Sequence, residues 1–406
     1  PTQESPAFVG FSYSNTSSDR FTGDTKTAKD ARKFMLGFMD RFPHLRSNDL
    51  YLSGESYGGH YVPGLALEIV RGNAAATPSD GGSLNLQGFL VGNAWTDAAI
   101  DNEGAVDFWW AHALIADETA KGLRDTCDFA RVGPLRSSDD AAAAADNDAC
   151  DNFISHALTE LGGINIYEIY ADTCLPASAR AQARALADAL EGAGPGGLAA
   201  RAAGTAAATA HAARTRSKRA STDGVDGSAG STPEEPAYDP CIDDEVEAYL
   251  NLPEVQAALH ALPRKWVDCS RYVQYSREDL LSSMLPVYRE LLANAGLRIL
   301  VYSGDVDGIV PVGQSCCAVL RCAALCVLKK LCCACVGSRR WTAGLGLETL
   351  SPWRAWLSGT QQVGGYVVEY DGLTFSTVRN AGHMVPYVQP ERMFYMFTKF
   401  LDGSAL

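Results

Sequence analysis

The residues with the clearest chemical potential in this 406-residue chain are Gly54-Glu55-Ser56-Tyr57-Gly58, a G-x-S-x-G pentapeptide. It follows the apolar residues Leu50-Tyr51-Leu52 and precedes sequence that favours a helix. That order suits a nucleophile elbow, a sharp strand-to-helix turn that lifts a serine hydroxyl clear of a sheet. The two glycines of the motif let the backbone turn without steric conflict. We therefore predict that Ser56 is a nucleophile and that the N–H of Tyr57 faces the developing oxyanion.

A serine alcohol needs a general base within hydrogen-bond reach, and the base needs an acid that orients it. Among the seven histidines, His383 stands out because it lies between a predicted strand and a predicted helix. Asp305 and Asp307 both follow another predicted strand, so both are candidates for the acid. Ser56, Asp307 and His383 give the chain order Ser…Asp…His that α/β-hydrolases use. The alternative for His383 is a hydrogen-bonded loop histidine without a catalytic role.

The predicted elements alternate between strands and helices around the motif. Strands over 49–53 and 86–92 flank a helix over 57–70, and a β-α-β order implies a parallel sheet with right-handed crossovers. Asn93, directly after the second strand, either lines the site or fixes the turn. The later elements are a divided helical region over 243–261, a strand over 297–303, a hairpin of 363–370 and 374–378, and an amphipathic helix over 387–401. The sequence thus predicts an α/β fold with a mostly parallel sheet.

Composition limits the classes of function. A hydrophobic content of 47% is too high for a disordered chain and is sufficient for a large core. The net charge of −14 argues against nucleic acid as a partner, because such proteins carry basic patches. The sequence has no uncharged apolar run of 18 residues, so we predict no membrane-spanning helix.

Several segments resemble the serine carboxypeptidase family, in particular its plant-type members. The similarity covers most of 5–174 and 238–406. It implies an α/β-hydrolase fold with a helical cap insertion, and an enzyme that removes C-terminal residues from peptides through an acyl-enzyme, without metal or cofactor. The segments that carry it are Gly54–Pro63 (GESYGGHYVP), Tyr302–Pro311 (YSGDVDGIVP), Val378–Pro386 (VRNAGHMVP), Ser5–Ser14 (SPAFVGFSYS) and Cys241–Ala261 (CIDDEVEAYLNLPEVQAALHA).

The resemblance implies a role for each site residue. The second aspartate of the family's G-D-x-D pattern orients the base, which favours Asp307 over Asp305. Glu55 resembles the glutamate that binds the terminal carboxylate of the substrate, and Met384 is expected to form an apolar wall beside the base. Two carboxyl groups in hydrogen-bond contact share a proton, so binding through Glu55 is expected to favour acidic pH.

The chain divides into five predicted parts. They are a first part of the hydrolase core over 1–104, a helical cap insertion over 105–175, an Ala/Gly-rich disordered linker over 176–237, a return from cap to core over 238–296, and the second part of the core over 297–406. The linker contains the basic run 214–219, which is either a processing site or a solvated charge run.

Five dispersed cysteines are typical of a disulfide framework in an oxidising compartment. By resemblance, Cys127 pairs with Cys150 and Cys174 pairs with Cys241. Cys269 would pair with a cysteine in a Gly-rich N-terminal segment that the family carries and this chain lacks. That segment would also supply the second oxyanion N–H and strands of the sheet, so we expect an N-terminally truncated family member.

Seven further cysteines crowd into the segment 314–337. Removing it would restore the family's pattern after Asp307, so we interpret it as translated intron sequence or a gene-model error. The alternatives are a genuine lineage-specific loop and a metal-binding tract, whose loose C-x₂₋₄-C spacings are Cys322/Cys326 and Cys332/Cys335.

Two rival functions stay open at this point: an acyltransferase of the same family and a catalytically impaired truncated product. The expected partners are peptide or protein substrates, with no nucleic acid and no membrane, and a homodimer is an open alternative. The expected location is the secretory pathway, either the vacuole or lysosome or the extracellular space. The sequon Asn15-Thr16-Ser17 would make the protein a glycoprotein.

Overall fold

The computed structural model describes residues 2–76, 82–133, 148–175, 239–294, 296–309 and 337–406. Two compact units make up the chain: Pro1–Tyr170 with Gln256–Leu406, and Ala171–Val255. The predicted linker over 176–237 and all but the last residue of the segment 314–337 lie outside the described residues. The five predicted parts of the chain therefore stay predictions.

The strands and helices have the following bounds. The strands are β1 Phe21–Thr22, β2 Leu50–Glu55, β3 Leu86–Gly92, β4 Gln274–Tyr275, β5 Arg298–Gly304, β6 Thr349–Leu357, β7 Val363–Tyr370 and β8 Leu373–Val378. The helices are α1 Asp24–Arg41, α2 Gly58–Ala75, α3 Ala98–Ala111, α4 Asp117–Thr126, α5 Asp148–Leu161, α6 Ile242–Leu250, α7 Pro253–Ala258, α8 Arg277–Leu280, α9 Leu285–Asn294, α10 Gly337–Gly344, α11 Val385–Val388 and α12 Pro390–Asp402.

A six-stranded sheet with the order β2-β3-β5-β8-β7-β6 forms the centre of the first unit. The strands β2, β3, β5 and β8 run parallel, and β7 and β6 continue the sheet antiparallel. The loops after the parallel strands therefore emerge at the same edge of the sheet. Among the described residues β2 is an edge strand, and the side chain of Ser53 is exposed there.

The alternation of side chains along the strands explains why helices cover both faces of the sheet. Phe89, Val91, Ile299 and Val301 belong to the core with α2 and α9, whereas Leu90, Leu300 and Tyr302 point to the other face and join the core with α12. Successive residues of a strand point to opposite faces, so strands that are buried on both faces read as continuous apolar runs.

Most of the predicted elements are present, with shifted ends. The strand and helix around Ser56 are longer than predicted, at Leu50–Glu55 and Gly58–Ala75. Pro253 does separate two helices, and the hairpin turns at Asp371-Gly372, where Gly372 has a φ of 78°. The predicted last helix is broken into α11 and α12 at Gln389, because Pro390 begins the second helix.

The elements that were not predicted include α1, α9 and β6, together with the short elements β1, β4, α8 and α10. Strand β6 has an irregular burial pattern and register shifts against β7, so it lacks the clean alternation that a strand prediction needs. Trp356, which belongs to β6, is nevertheless buried and donates a hydrogen bond to the carbonyl of Thr377 at 3.0 Å.

Helices α3, α4 and α5 form a separate apolar cluster that includes Trp109 and Leu123. A disulfide joins Cys127 to Cys150 beside this cluster. In the second unit a disulfide joins Cys174 to Cys241. These are the two pairs that the resemblance implies, and Cys269 is exposed and joins no disulfide among the described residues.

Among the residues described by the structure, no helix has the length and apolar composition needed to span a bilayer.

The loop that leaves β3 is anchored by a buried carboxyl group. Asp101 Oδ2 accepts hydrogen bonds from the N–H of Thr96 at 2.7 Å and of Asp97 at 2.9 Å. Burial raises the pKa of Asp101 to about 7, although these hydrogen bonds oppose the shift. A carboxyl group whose pKa is raised by folding stabilises the fold fully below its unfolded pKa, and that stabilisation is lost as the pH rises through the folded value.

In the wild type we expect Asp101 to make the free energy of unfolding fall as the pH rises from about 4 to 7. We predict that this fall is smaller in Asp101→Asn. One such carboxyl group contributes a slope of at most about 1.4 kcal/mol per pH unit, and asparagine keeps an oxygen acceptor without titrating. Urea unfolding at several pH values measures the slope. Asp101→Ala, which removes the acceptor, should be less stable at every pH. An unchanged slope in Asp101→Asn would contradict the prediction.

Candidate active site

Ser56 lies at a strained turn between β2 and α2. Its φ is 59°, in the left-handed region that a non-glycine residue rarely adopts. Its N–H donates a hydrogen bond to the carbonyl of Gly92 at 2.9 Å, and its carbonyl accepts one from the N–H of Trp95 at 2.9 Å. The surrounding backbone therefore holds the turn in the conformation of a nucleophile elbow.

The glycines near the turn have different steric requirements from those predicted. A Cβ on Gly54 would lie 2.7 Å from the side chain of Val62, so the space requires glycine there. A Cβ on Gly58 would meet nothing within 4 Å, so the prediction that this position needs a small residue was wrong. Gly59 is the restricted position, because its Cβ would lie 2.2 Å from the carbonyl oxygen of Trp95.

Tyr57 links the turn to helix α2. The helix begins at Gly58, and the first N–H groups of a helix have no acceptor within it. The backbone N–H of Tyr57 therefore belongs to the positively polarised end of α2, where an oxyanion would be stabilised.

His383 and Asp307 form a buried hydrogen-bonded pair. Nδ1 of His383 lies 2.8 Å from Oδ2 of Asp307, and the two residues are 6% and 0% exposed. Oδ1 of Asp307 accepts a hydrogen bond from the N–H of Ile309 at 2.9 Å. When Nδ1 donates to a carboxylate, Nε2 carries the lone pair and is the nitrogen that can act as a base.

Asp305, the other candidate for the acid, has a different environment. Its Oδ1 accepts a hydrogen bond from the N–H of Asn380 at 2.6 Å. Burial raises the pKa of Asp305, and hydrogen bonds from the backbone of Asn380 and Ala381 oppose the shift. The structure thus brings Asp307 to His383, whereas Asp305 binds the loop that precedes His383.

Asn93 connects the ends of two strands to the histidine loop. Its Nδ2 donates to the carbonyl of Gly382 at 3.0 Å and to the carbonyl of His383. Its Oδ1 accepts from the Ser303 hydroxyl and from the N–H of Gly304, both at 2.8 Å. Asn93 is fully buried and has a φ of 41°, so it holds the loop of His383 as well as the turn after β3.

The site contains a further carboxyl group, that of Glu55, whose pKa is raised by its surroundings. Burial raises the pKa of Glu55 to about 7, His383 lowers it in part, and the charge of Asp307 raises it. Burial disfavours the charged imidazolium, but the charge and hydrogen bond of Asp307, together with the charge of Glu55, raise the pKa of His383. Met384 follows His383, is half-buried and precedes helix α11.

A hydrogen-bonded group around Asp24 fixes the residues after Ser56 and was not predicted from the sequence. Asp24 Oδ1 accepts from the hydroxyls of Tyr57 at 3.0 Å and Tyr275 at 2.7 Å, and Oδ2 lies 2.8 Å from Nδ1 of His60. Burial opposes ionisation of Asp24, but these hydrogen bonds lower its pKa overall. The contacts join residues far apart in the chain, so no local pattern could reveal them.

Within the part of the chain that the structure covers, no group of three or more His, Cys, Asp or Glu side chains has the geometry to hold a metal ion. The expectation that the reaction needs no metal or cofactor stays a prediction.

A family model described as serine carboxypeptidase matches residues 3–321 and 329–403. The chain belongs to the serine carboxypeptidase family. The break in the match, over 322–328, falls inside the cysteine-rich segment 314–337, but the interpretation of that segment as an artefact stays a prediction.

Relatives in Arabidopsis thaliana agree with this family. Serine carboxypeptidase-like 25 is 38% identical over 410 residues, which cover 99% of this chain and 72% of the relative. Serine carboxypeptidase 24 is 36% identical over 409 residues, with the same coverage of both chains. The family and the predicted reaction class, a serine-type carboxypeptidase, are therefore confirmed.

A solved structure confirms the fold class. The crystal structure of Kex1(delta)p, a prohormone-processing carboxypeptidase from Saccharomyces cerevisiae, matches 98% of this chain and 73% of its own with a TM-score of 0.61 at 18% identity. At this identity the likeness shows the fold alone, and it agrees with the α/β-hydrolase architecture of the mostly parallel sheet.

For this serine carboxypeptidase we predict that Asp307→Asn will lower kcat by about 10⁴-fold with little change in KM, because the orienting acid fixes the tautomer of the base. Asp305→Asn is the matched control, since it replaces a nearby, partly buried carboxylate. It should lower kcat by about tenfold at most, the value of one hydrogen bond. Steady-state kinetics on an N-blocked dipeptide measures both. Equal losses in the two variants would contradict the assignment.

Proposed function

We propose that this serine carboxypeptidase removes the C-terminal residue from peptides or proteins through an acyl-enzyme on Ser56, and works best at acidic pH. The observation that carries the proposal is the position of Glu55. Glu55, whose pKa is about 7, directly precedes Ser56 at the elbow. The charge of Glu55 interacts with the buried His383–Asp307 pair.

The reaction follows from these groups. Ser56 Oγ attacks the carbonyl carbon of the last peptide bond, and His383 Nε2 takes the hydroxyl proton. The N–H of Tyr57 stabilises the oxyanion, and Asp307 stabilises the imidazolium. The C–N bond then breaks, and the leaving amine takes the proton from His383. A water molecule attacks the acyl-enzyme with the same base, which releases the shortened peptide and restores Ser56.

Glu55 supplies a reason for exopeptidase specificity. Below pH 7 its carboxyl group is largely protonated and can donate a hydrogen bond to the terminal carboxylate of a substrate. Above that pH both groups carry negative charge and repel each other. Met384, half-buried beside the base, would form an apolar wall for the leaving residue.

The acyltransferase alternative is not favoured, because the relatives at 36–38% identity carry carboxypeptidase names. The products distinguish the two activities: a free amino acid from an N-blocked dipeptide, or an ester from an acyl-glucose donor.

The secretory pathway is the proposed location. Two disulfides support it, because disulfides persist in oxidising compartments, and family members are secreted or vacuolar enzymes in general. Asn15 of the sequon is exposed, which fits a glycosylation site.

We predict that a fluorophosphonate probe will label the wild-type enzyme on Ser56, and that Ser56→Ala will be unlabelled and inactive. Ser404→Ala, which replaces an exposed serine outside the sequon, should be labelled like the wild type. Peptide mapping identifies the labelled residue. Label on a different serine would overturn the assignment of the nucleophile, and an unlabelled wild type would indicate the catalytically impaired product.

We predict that Glu55→Gln will flatten the loss of peptidase activity, expressed as kcat/KM, that the wild type shows between about pH 5 and 8. Glutamine can donate a hydrogen bond but cannot ionise. Glu118→Gln, on the exposed surface of α4, is the matched control and should keep the wild-type profile. A substrate with an amidated C-terminus should show a weaker pH dependence with the wild type. If Glu55→Gln keeps the wild-type slope, Glu55 does not bind the carboxylate.

A further inference from the structure

The segment 165–169 (NIYEI), which precedes the second disulfide-bonded unit in the chain, contacts both loops of the catalytic pair. The N–H of His383 donates to the carbonyl of Tyr167 at 2.7 Å. The N–H of Gly308 donates to the carbonyl of Ile166 at 2.8 Å, and the N–H of Ile169 donates to the carbonyl of Val306 at 3.2 Å. One short segment thus binds the backbone on either side of Asp307 and the backbone of His383 itself.

The side chain of Tyr167 adds a contact to the imidazole. The two rings are T-shaped, with their centroids 5.2 Å apart and an angle of 67° between their planes. This geometry places the edge of one ring against the face of the other, which is a favourable arrangement for aromatic pairs.

Glu168 is the unusual member of the segment. It is 7% exposed, and among the described residues its Oε2 has no hydrogen-bond partner. The carboxyl group lies against the backbone before His383, since a Cβ on Gly382 would be 2.2 Å from Glu168 Oε2 and 2.3 Å from the carbonyl oxygen of Tyr167. A buried polar atom without a partner is costly, and such atoms are rare in folded proteins.

The charges that face Glu168 come from the loop after β5. Burial raises the pKa of Glu168 to about 7, the backbone N–H of Gly382 opposes the shift, and the negative charges of Asp305 and Asp307 add to it. On the histidine loop, the charge of Arg379 acts on Asp305, and His383 is hydrogen-bonded to Asp307. An ionised Glu168 would therefore be a third negative charge beside the acid of the triad.

We propose that Glu168 is a positioning residue for His383, which it holds in place through Gly382 as an uncharged acid. The inference rests on the proposed role of His383 as the general base. The carbonyl of Tyr167 fixes the N–H of His383, Asn93 fixes the two carbonyls of the loop, and Glu168 packs against the Cα between them. When Glu168 ionises, repulsion from Asp305 and Asp307 moves its carboxylate away from the loop, and the imidazole loses its alignment with Ser56.

The test uses a small N-acyl amino acid alkyl ester. This substrate has no free carboxylate, so pairing with Glu55 does not contribute to the pH profile. Kinetic constants of the wild type, Glu168→Gln, Glu168→Ala and the surface control Glu118→Gln are measured between about pH 5 and 8. The kcat of Glu168→Gln should equal that of the wild type at pH 5 and exceed it increasingly towards pH 8, because the titration of His383 is common to both enzymes and cancels in the ratio of the two kcat values. Glu168→Ala should lower kcat by up to about 10²-fold with KM unchanged, as expected for a misplaced catalytic group.

A second measurement does not depend on turnover. The chemical shift of the His383 Nδ1 proton, followed by NMR, should show the titration of the imidazole in both proteins and, in the wild type alone, a second transition from the ionisation of Glu168. The proposal is overturned if the ratio of the two kcat values is the same at pH 5 and pH 8 and the NMR titrations of the two proteins do not differ. Failure of the proposed function is seen separately, because the wild type would then not be labelled at Ser56 by the fluorophosphonate.

Discussion

The buried hydrogen bond between Asp307 and His383 is the interaction on which the arrangement of the site depends. A charged group with no exposed surface is tolerated only if its partner and its remaining hydrogen bonds are in place. The N–H of Ile309 supplies the further hydrogen bond to Asp307, and Asn93 after β3 and Tyr167 after α5 hold the backbone of the His383 loop. The parallel sheet makes this convergence possible, because it brings the loops after its strands to one edge.

Raised carboxyl pKa values give the fold and the site the same preference for acid. Burial raises the pKa of Glu55, Asp101 and Glu168 to about 7 in each case. In the folded state each of these three groups binds a proton more strongly than an exposed carboxyl group does, so its contribution to stability is lost as the pH rises through about 7, whereas Asp24, whose pKa is lowered, acts in the opposite sense. Protonation of Glu55 would also affect substrate binding, and protonation of Glu168 would also affect the position of His383.

The sequence predicted the parts of the site that depend on local order. Ser56 was found because an apolar strand, a G-x-S-x-G motif and a helix follow each other directly, and Asp307 and His383 because each follows a strand. The contacts of Asp24, Asn93 and Glu168 could not be predicted, because they join residues between 33 and 290 positions apart. Strand β6 was missed for a related reason, since its register shifts remove the alternation that marks a strand.

The spacing of the glycines at the elbow has a consequence for how such turns vary among related sequences. Gly58, the last residue of the recognition motif, faces open space, whereas Gly59 faces the carbonyl of Trp95. Alanine at 58 would fit and would favour the start of α2, because alanine is a better helix former than glycine by about 1 kcal/mol. Selection can therefore replace the glycine that motif searches require, while it must retain the neighbouring glycine that those searches ignore.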